Sequence, residues 1–403
     1  MRSFLTTRKR RFAASGVLLF AAFALYAAAR DREFEAAPYL AYPGAGRVAI
    51  RGITKNPCRW QVVPLTPGSP SGAEVVATTN HFIEFTKLPP DRVVEMEVLA
   101  DGVRVPGGKL KFRTEPGANP NTFDFVVIGD SGGYPDRFLE VFGYTPSDGA
   151  KKRPDILVKW ISEARPQLFL HAGDVAYPHG ERFNYVRAFF RPFGPILATT
   201  PIAAAIGNHD LKTSDGAPFL DVFGFPNAPV LSEGKYYSFD YGPLHVSVLD
   251  SNEESVELLE QQAAWFRKDL QNAGRPWKIV LCHVPLLFNS EAQRSQHSLI
   301  QQNICDTLRQ IAEAGSVTII FSGHRHWYER SHAVRGMIQI ITGGGGADIH
   351  DYRKYGEGER AKAESYFHFV KARVTGDVMT VQAIRDNGEV IEDGGGARIF
   401  RRK

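Results

Sequence analysis

Phe125-Val126-Val127-Ile128-Gly129-Asp130-Ser131-Gly132 is a short apolar run that ends in a carboxylate between two glycines. The pattern recurs four times downstream. Leu168-Phe169-Leu170 leads to Gly173-Asp174-Val175-Ala176-Tyr177, and residues 202–206 lead to Gly207-Asn208-His209-Asp210. Ile279-Val280-Leu281 leads to Cys282-His283, and residues 317–321 lead to Gly323-His324-Arg325-His326. Continuous apolar runs of this length suit strands covered on both faces. Helical periodicity fills the gaps at about 151–165, 181–193, 257–273 and 298–314, the last stopped by Gly315. Alternating strands and helices bind ligands beyond the carboxyl ends of the strands, so the five clusters are expected to meet in one crevice. A glycine ahead of four of them is expected to let the backbone turn sharply and present the next side chain.

Outside this α/β core the texture is different. Tyr236 to Asp250, with Gly242-Pro243 in the middle, reads as a hairpin, and the tail returns to strands at 366–374 and 378–384 with a turn at Asp386-Asn387-Gly388. Upstream, 48–50, 60–63, 82–85, 93–98 and 110–113 are β-like runs separated by Pro-Gly, Gly-Ser-Pro, Pro-Pro-Asp and Asp-Gly signals. Residues 36–116 are therefore expected to form a small all-β sandwich, with 114–120 as a linker and 122–403 as the α/β part.

Arg8-Lys9-Arg10-Arg11 precedes an apolar stretch from Phe12 to Ala29, which closes on Ala27-Ala28-Ala29. A basic region, an apolar stretch and small residues read as a signal peptide over 1–29, with an uncleaved membrane anchor as the rival reading. The expected location is secreted or periplasmic, or membrane-anchored if the segment stays. The formal charge of +4 depends on this segment, which holds five basic residues and no acid; removing it leaves −1. The basic balance thus implies no nucleic-acid partner. Three cysteines make no disulfide framework, and Cys282 sits in an apolar run as a small core residue.

The polar clusters offer aspartates, an asparagine amide, histidines and a tyrosine. Such donors suit hard and borderline cations, and the absence of thiolate excludes a cysteine-type zinc site. Asp130, Asp174, Tyr177, Asn208, His283, His324 and His326 exceed the needs of one small cation. They suit two metals sharing a bridging carboxylate, spaced for displacement at phosphorus. His209, beside Asn208, is the candidate to bind a phosphate oxygen or protonate the leaving group.

This ordered motif set resembles the calcineurin-like metallophosphoesterases, and within them the purple acid phosphatases, whose added tyrosine Tyr177 would supply. Tyr237-Ser238-Phe239-Asp240-Tyr241-Gly242-Pro243, Leu249-Asp250-Ser251 and His326-Trp327-Tyr328-Glu329-Arg330 add to the likeness. The part before 116 resembles the fibronectin type III-like domain of longer members. The resemblance implies a two-sheet β-sandwich flanked by helices. It also implies ferric iron on Asp130, Asp174, Tyr177 and His326, and zinc, iron or manganese on Asp174, Asn208, His283 and His324. It further implies a metal-bound hydroxide as the attacking group, a small phosphate monoester as substrate, and a further substrate histidine, for which His297 is the candidate. The alternatives are a phosphodiesterase acting on nucleotides or envelope diesters, and an envelope binding protein with a decayed site.

Overall fold

The computed structural model describes residues 34–118, 122–132, 154–226, 234–252, 255–356, 358, 360–391 and 398–401. The segment read as a signal peptide lies outside them, as does most of the loop 131–150.

The first seven strands are β1 (Phe34–Gly44), β2 (Arg47–Cys58), β3 (Trp60–Pro64), β4 (Gly72–Ala73), β5 (Thr78–Phe85), β6 (Val93–Ala100) and β7 (Val103–Arg113). All five β-like runs read upstream fall in them. Strands β4-β3-β6-β7 make one sheet. Trp60, Val62, Met96, Val98 and Leu110 turn from it toward Leu40, Val48 and Ile50, closing an apolar core of their own. β1 and β2 do not end there. They extend a much larger sheet.

That sheet is built on β8 (Phe123–Ile128), β9 (Leu168–His171) and β10 (Ile202–Ala204), which run parallel. β18 (His368–Thr375), β19 (Val378–Arg385) and β20 (Arg398–Arg401) add antiparallel strands beyond β8. On the other side β1 bridges β10 at Ala41–Ile202, followed by β2 and β5, giving nine strands.

A second sheet of seven strands carries the remaining two clusters. It comprises β11 (Tyr237–Tyr241), β12 (Leu244–Val248), β13 (Trp277–Leu281), β14 (Ile319–Ser322), β16 (Ile338–Thr342), β15 (Tyr328–Ser331) and β17 (Arg360–Glu364), in that order. The expected hairpin is present as β11–β12, and β12, β13 and β14 run parallel. The two sheets face each other. Phe125, Val127 and Leu170 of the first meet Val246, Ile279, Ile319 and Phe321 of the second in one fully buried core. Such facing packs a core between alternate inward residues of both sheets.

Helices cover the outer faces. Pro154–Ala164 and the helical run 182–197 lie on the nine-stranded sheet, where Leu157, Ile161, Phe189 and Phe193 meet Val126, Ile128 and Phe169. Val256–Asn272 and Leu299–Ala314 lie on the seven-stranded sheet, burying Phe266, Leu270, Ile304 and Leu308 against Val280 and Ile320. Cys282 and Cys305 are packed in that same layer. Cys58, Cys282 and Cys305 are buried and joined by no disulfide. Among the described residues no helix is long and apolar enough to cross a membrane.

Candidate metal centre

β8, β9 and β10 in one sheet, and β13 and β14 in the other, all end at the same rim of the sandwich. Each releases its polar cluster there, and the predicted donor side chains come together in two groups.

In the first group the Tyr177 hydroxyl lies 2.9 Å from Asp130 Oδ1, 2.8 Å from Asp174 Oδ2 and 3.0 Å from His326 Nε2. In the second, Asn208 Oδ1 lies 3.0 Å from both His283 Nε2 and His324 Nδ1, and His283 Nε2 is 3.3 Å from Asp174 Oδ2. One oxygen, Asp174 Oδ2, belongs to both. The other carboxylate oxygens are occupied by backbone amides. Asp174 Oδ1 accepts from His209 N at 2.7 Å, and Asp130 Oδ2 accepts from His324 N at 2.8 Å. Asp130, Asp174 and His283, all buried, have donor atoms within 4.8 Å of one another.

The chemistry of these donors asks for a cation. His283 Nδ1 donates to the Ala172 carbonyl at 2.9 Å, and His326 Nδ1 donates to the Asp348 carbonyl at 2.7 Å. In each neutral ring the Nε2 lone pair then points at other lone pairs. A bond from the second ring nitrogen to a carbonyl is the usual support of a metal-bound histidine. Tyr177 has one proton for three acceptors. Burial and the two carboxylates beside it hold that proton far above the usual phenol range. Without a cation the site can relieve itself only by holding protons. Burial opposes a charge on His283, but Asp174 and then Asp130 outweigh it and hold the ring up at about 9. The donor set therefore fits two metals that share Asp174.

Local backbone explains how the donors are aimed. Asp130, Asp174 and His324 themselves adopt left-handed φ angles of 58°, 51° and 67°. Such angles are uncommon for residues with a Cβ and gather at functional sites. Gly173 turns as expected, at a left-handed φ of 83°, whereas the reading is corrected at Gly129, Gly207 and Gly323, which take no such angle. Gly207 is extended, at φ −107° and ψ 168°. Its role is space, because a Cβ there would overlap the backbone nitrogen and carboxylate of Asp174. Gly323 is likewise packed against Asp130 Oδ2 and the Ala172 carbonyl. Asp210 ties the loops together. It accepts from Gly207 N at 2.9 Å, Val175 N at 3.2 Å and the Tyr185 hydroxyl at 2.9 Å. Burial and the nearby Asp174 push its carboxyl up to about 7.

Beside the donors opens a cleft of about 370 Å³ lined by Asn208, His209, Arg325, Asp348, His350 and Tyr355, among others. His209 Nδ1 donates to the Pro178 carbonyl at 2.7 Å, and the Lys212 ammonium lies 3.2 Å from its Nε2. Burial lowers the His209 pKa, with Asp174 acting against it. His297 does reach the centre. Its ring lies 5.4 Å from that of His324, with Arg325 Nη2 3.0 Å from its Nε2. Burial and Arg325 hold it down at about 4.

Three cleft residues were not picked out in the sequence. His350 stacks on His326 at 4.3 Å, and Tyr355 stacks beyond it at 6.5 Å. Nothing in their sequence neighbourhood points to the site. Arg325 had a signal, its place between two donor histidines.

With this geometry in view, comparison with known proteins becomes specific. The calcineurin-like phosphoesterase family profile matches residues 123–328, the stretch that carries all seven donors. Purple acid phosphatase 18 of Arabidopsis thaliana is 27% identical over 62% of this chain and 55% of its own length. Acid phosphatase type 7 of Homo sapiens is 25% identical over 77% of each. Probable inactive purple acid phosphatase 27 of Arabidopsis thaliana is 26% identical over 63% of this chain and 46% of its own. The chain thus spans about half the length of these plant relatives. Among solved structures, a purple acid phosphatase from yellow lupin seeds superposes with a TM-score of 0.73 at 17% identity, over 91% of this chain and 75% of that one. Profile, relatives and shared fold agree: the chain belongs to the calcineurin-like phosphoesterase family, with purple acid phosphatases among its relatives.

Proposed function

We propose that this chain hydrolyses phosphate monoesters at a two-metal centre held by Asp130, Asp174, Tyr177 and His326 on one side and Asp174, Asn208, His283 and His324 on the other. The observation that carries the reading is the position of Asp174 Oδ2, shared by both donor groups. Ferric iron suits the side with the phenol, and zinc, iron or manganese suits the side with the amide and two histidines. Metals so placed lower the pKa of bound water and neutralise charge on a phosphoryl group.

The protein's own side chains do the rest. The rigid amide contacts on Asp130 and Asp174 fix the donors before substrate arrives. His209 stands at the cleft beside Asn208. Its Nδ1 bond to Pro178 leaves Nε2 as the basic nitrogen, able to carry a proton to the departing alkoxide. Lys212, against the same ring, adds positive charge for an anionic ester. His297 approaches from the His324 side as a second contact for phosphate oxygens.

The test is metal analysis of purified protein alongside a panel of mono- and diesters, with p-nitrophenyl phosphate and bis-p-nitrophenyl phosphate as the paired probes. Two metals per chain with monoester preference is the expected result. Diester preference would transfer the chain to phosphodiesterase chemistry, and a metal-loaded protein inert toward both classes would make it a binding protein.

A further inference from the structure

The segment 323–329 uses alternate residues for different tasks. His324 and His326 face the donor groups. Arg325 and Glu329 instead bond to the loop 288–297, and Trp327 bonds to Glu329. Glu329 is fully buried and accepts from Asn289 Nδ2, from Gln293 Nε2 at 3.1 Å and from Trp327 Nε1 at 2.9 Å. Arg325, also buried, reaches three acceptors on that loop: Gln296 Oε1, the Gln293 carbonyl at 3.1 Å and His297 Nε2 at 3.0 Å. Its guanidinium lies 5.3 Å from the Tyr355 ring, within reach of a cation–π contact.

An arginine has five donors, no acceptor, and does not lose its proton in a protein. The contact between Arg325 Nη2 and His297 Nε2 therefore runs one way. Arg325 donates and His297 Nε2 accepts, so the proton of the neutral ring must sit on Nδ1. The ring is wedged between Phe288, 5.0 Å away, and His324.

We propose that Arg325 is a positioning residue that fixes His297 as its Nδ1–H tautomer and holds it beside His324 as a neutral hydrogen-bond donor to the phosphoryl group. The proposal rests on the phosphomonoesterase reading above. It divides the labour between His297 and His209. His297 binds oxygen without changing charge, and the proton for the leaving group falls to His209, whose Nδ1 is already tied to a carbonyl.

An asparagine amide nitrogen mimics the Nδ1 position of histidine, and a glutamine amide nitrogen mimics Nε2. The test compares His297→Asn, His297→Gln, Arg325→Met, Arg325→Lys and the double variant Arg325→Met/His297→Gln. The readouts are zinc content, kcat and KM for p-nitrophenyl phosphate, and the inhibition constant of inorganic phosphate. Arg325→Met and His297→Gln should each lower kcat/KM about tenfold, the size of one hydrogen bond to a charged group. Inhibition by phosphate should weaken in step, with zinc content unchanged. The double variant should be no worse than the poorer single one. His297→Asn and Arg325→Lys should lie nearer wild type. Histidine 15N NMR of the zinc-loaded wild type should show His297 protonated at Nδ1. Additive losses, equal Asn and Gln variants, or an Nε2–H ring would each overturn the proposal. If Arg325→Met fails to fold, the Asn–Gln comparison and the tautomer measurement still decide it. If the zinc-loaded wild type hydrolyses no phosphate ester, the functional reading fails, while the NMR result still decides the Arg325–His297 relationship.

Discussion

Asp174 accepts the backbone N–H of His209 on one carboxylate oxygen, at 2.7 Å, and thereby frees the other for both donor groups. In the proposed two-metal arrangement both metals would depend on Asp174. In Asp174→Asn, an amide nitrogen or a single neutral oxygen would face the centre. We expect metal content to fall at both positions and hydrolysis of p-nitrophenyl phosphate to drop by more than about a hundredfold, since losing a mere supporting contact already costs ten- to a hundredfold. A variant that kept two metals and its activity would refute the shared-oxygen arrangement.

Tyr177 makes a separate claim. A phenolate bound to ferric iron absorbs visible light, so the iron-loaded protein should be coloured. Tyr177→Phe should bleach it while far-ultraviolet circular dichroism stays the same. A visible band that survives the substitution would remove Tyr177 from the iron's donors, without touching the other six.

Far from the centre, His245 joins Asp240, at 2.8 Å, and Asp269, at 3.0 Å, across β11, β12 and the helix Val256–Asn272. Burial disfavours its charge, but the bonds to the two carboxylates prevail and raise its pKa to about 9. A folded pKa above the unfolded value of 6.5 means stability that is full below pH 6.5 and lost as pH rises through 9. Asp240 is partly exposed, so screening trims the effect to about 2 kcal/mol. Urea unfolding at pH 6.5 and pH 9 measures it. His245→Gln should show a smaller drop between the two than wild type, and an equal drop would place the pH dependence elsewhere.

Gly207 answers a question of space. The backbone there suits any residue, yet Gly207→Ala drives a methyl into Asp174. Overpacking of this kind costs about 1–3 kcal/mol. The thermal midpoint should fall by several degrees, and metal affinity should fall with it because Asp174 must move. Unchanged stability and affinity would show that the loop yields freely.

The sequence carried the centre further than it carried the frame. Each donor cluster follows an apolar run, and buried strands with polar ends are a local pattern. The division of those runs between two sheets was implied only through the family likeness, because pairing is set by partners distant in the chain. Tyr328-Glu329-Arg330-Ser331 looks too polar for a strand, yet it is one, with the Glu329 carboxylate buried against Gln293 and Arg360. The helix Ala217–Phe223 was missed behind a proline at its second position. Arg325 was visible as a break between two donor histidines. Its meaning needed the loop 288–297 in place, which no local spacing reveals.

The bridge between β1 and β10 has a practical consequence for anyone who trims the gene. β10 is the strand that delivers Asn208, and β1 covers its outer side. Cutting at the apparent boundary near residue 122 would strip that cover and leave the outer side of β10 bare beside the rim where the donors meet. Bare edges of this kind recruit other chains. A fragment that starts there should therefore clump, whereas the chain from residue 34 onward keeps β1 over β10.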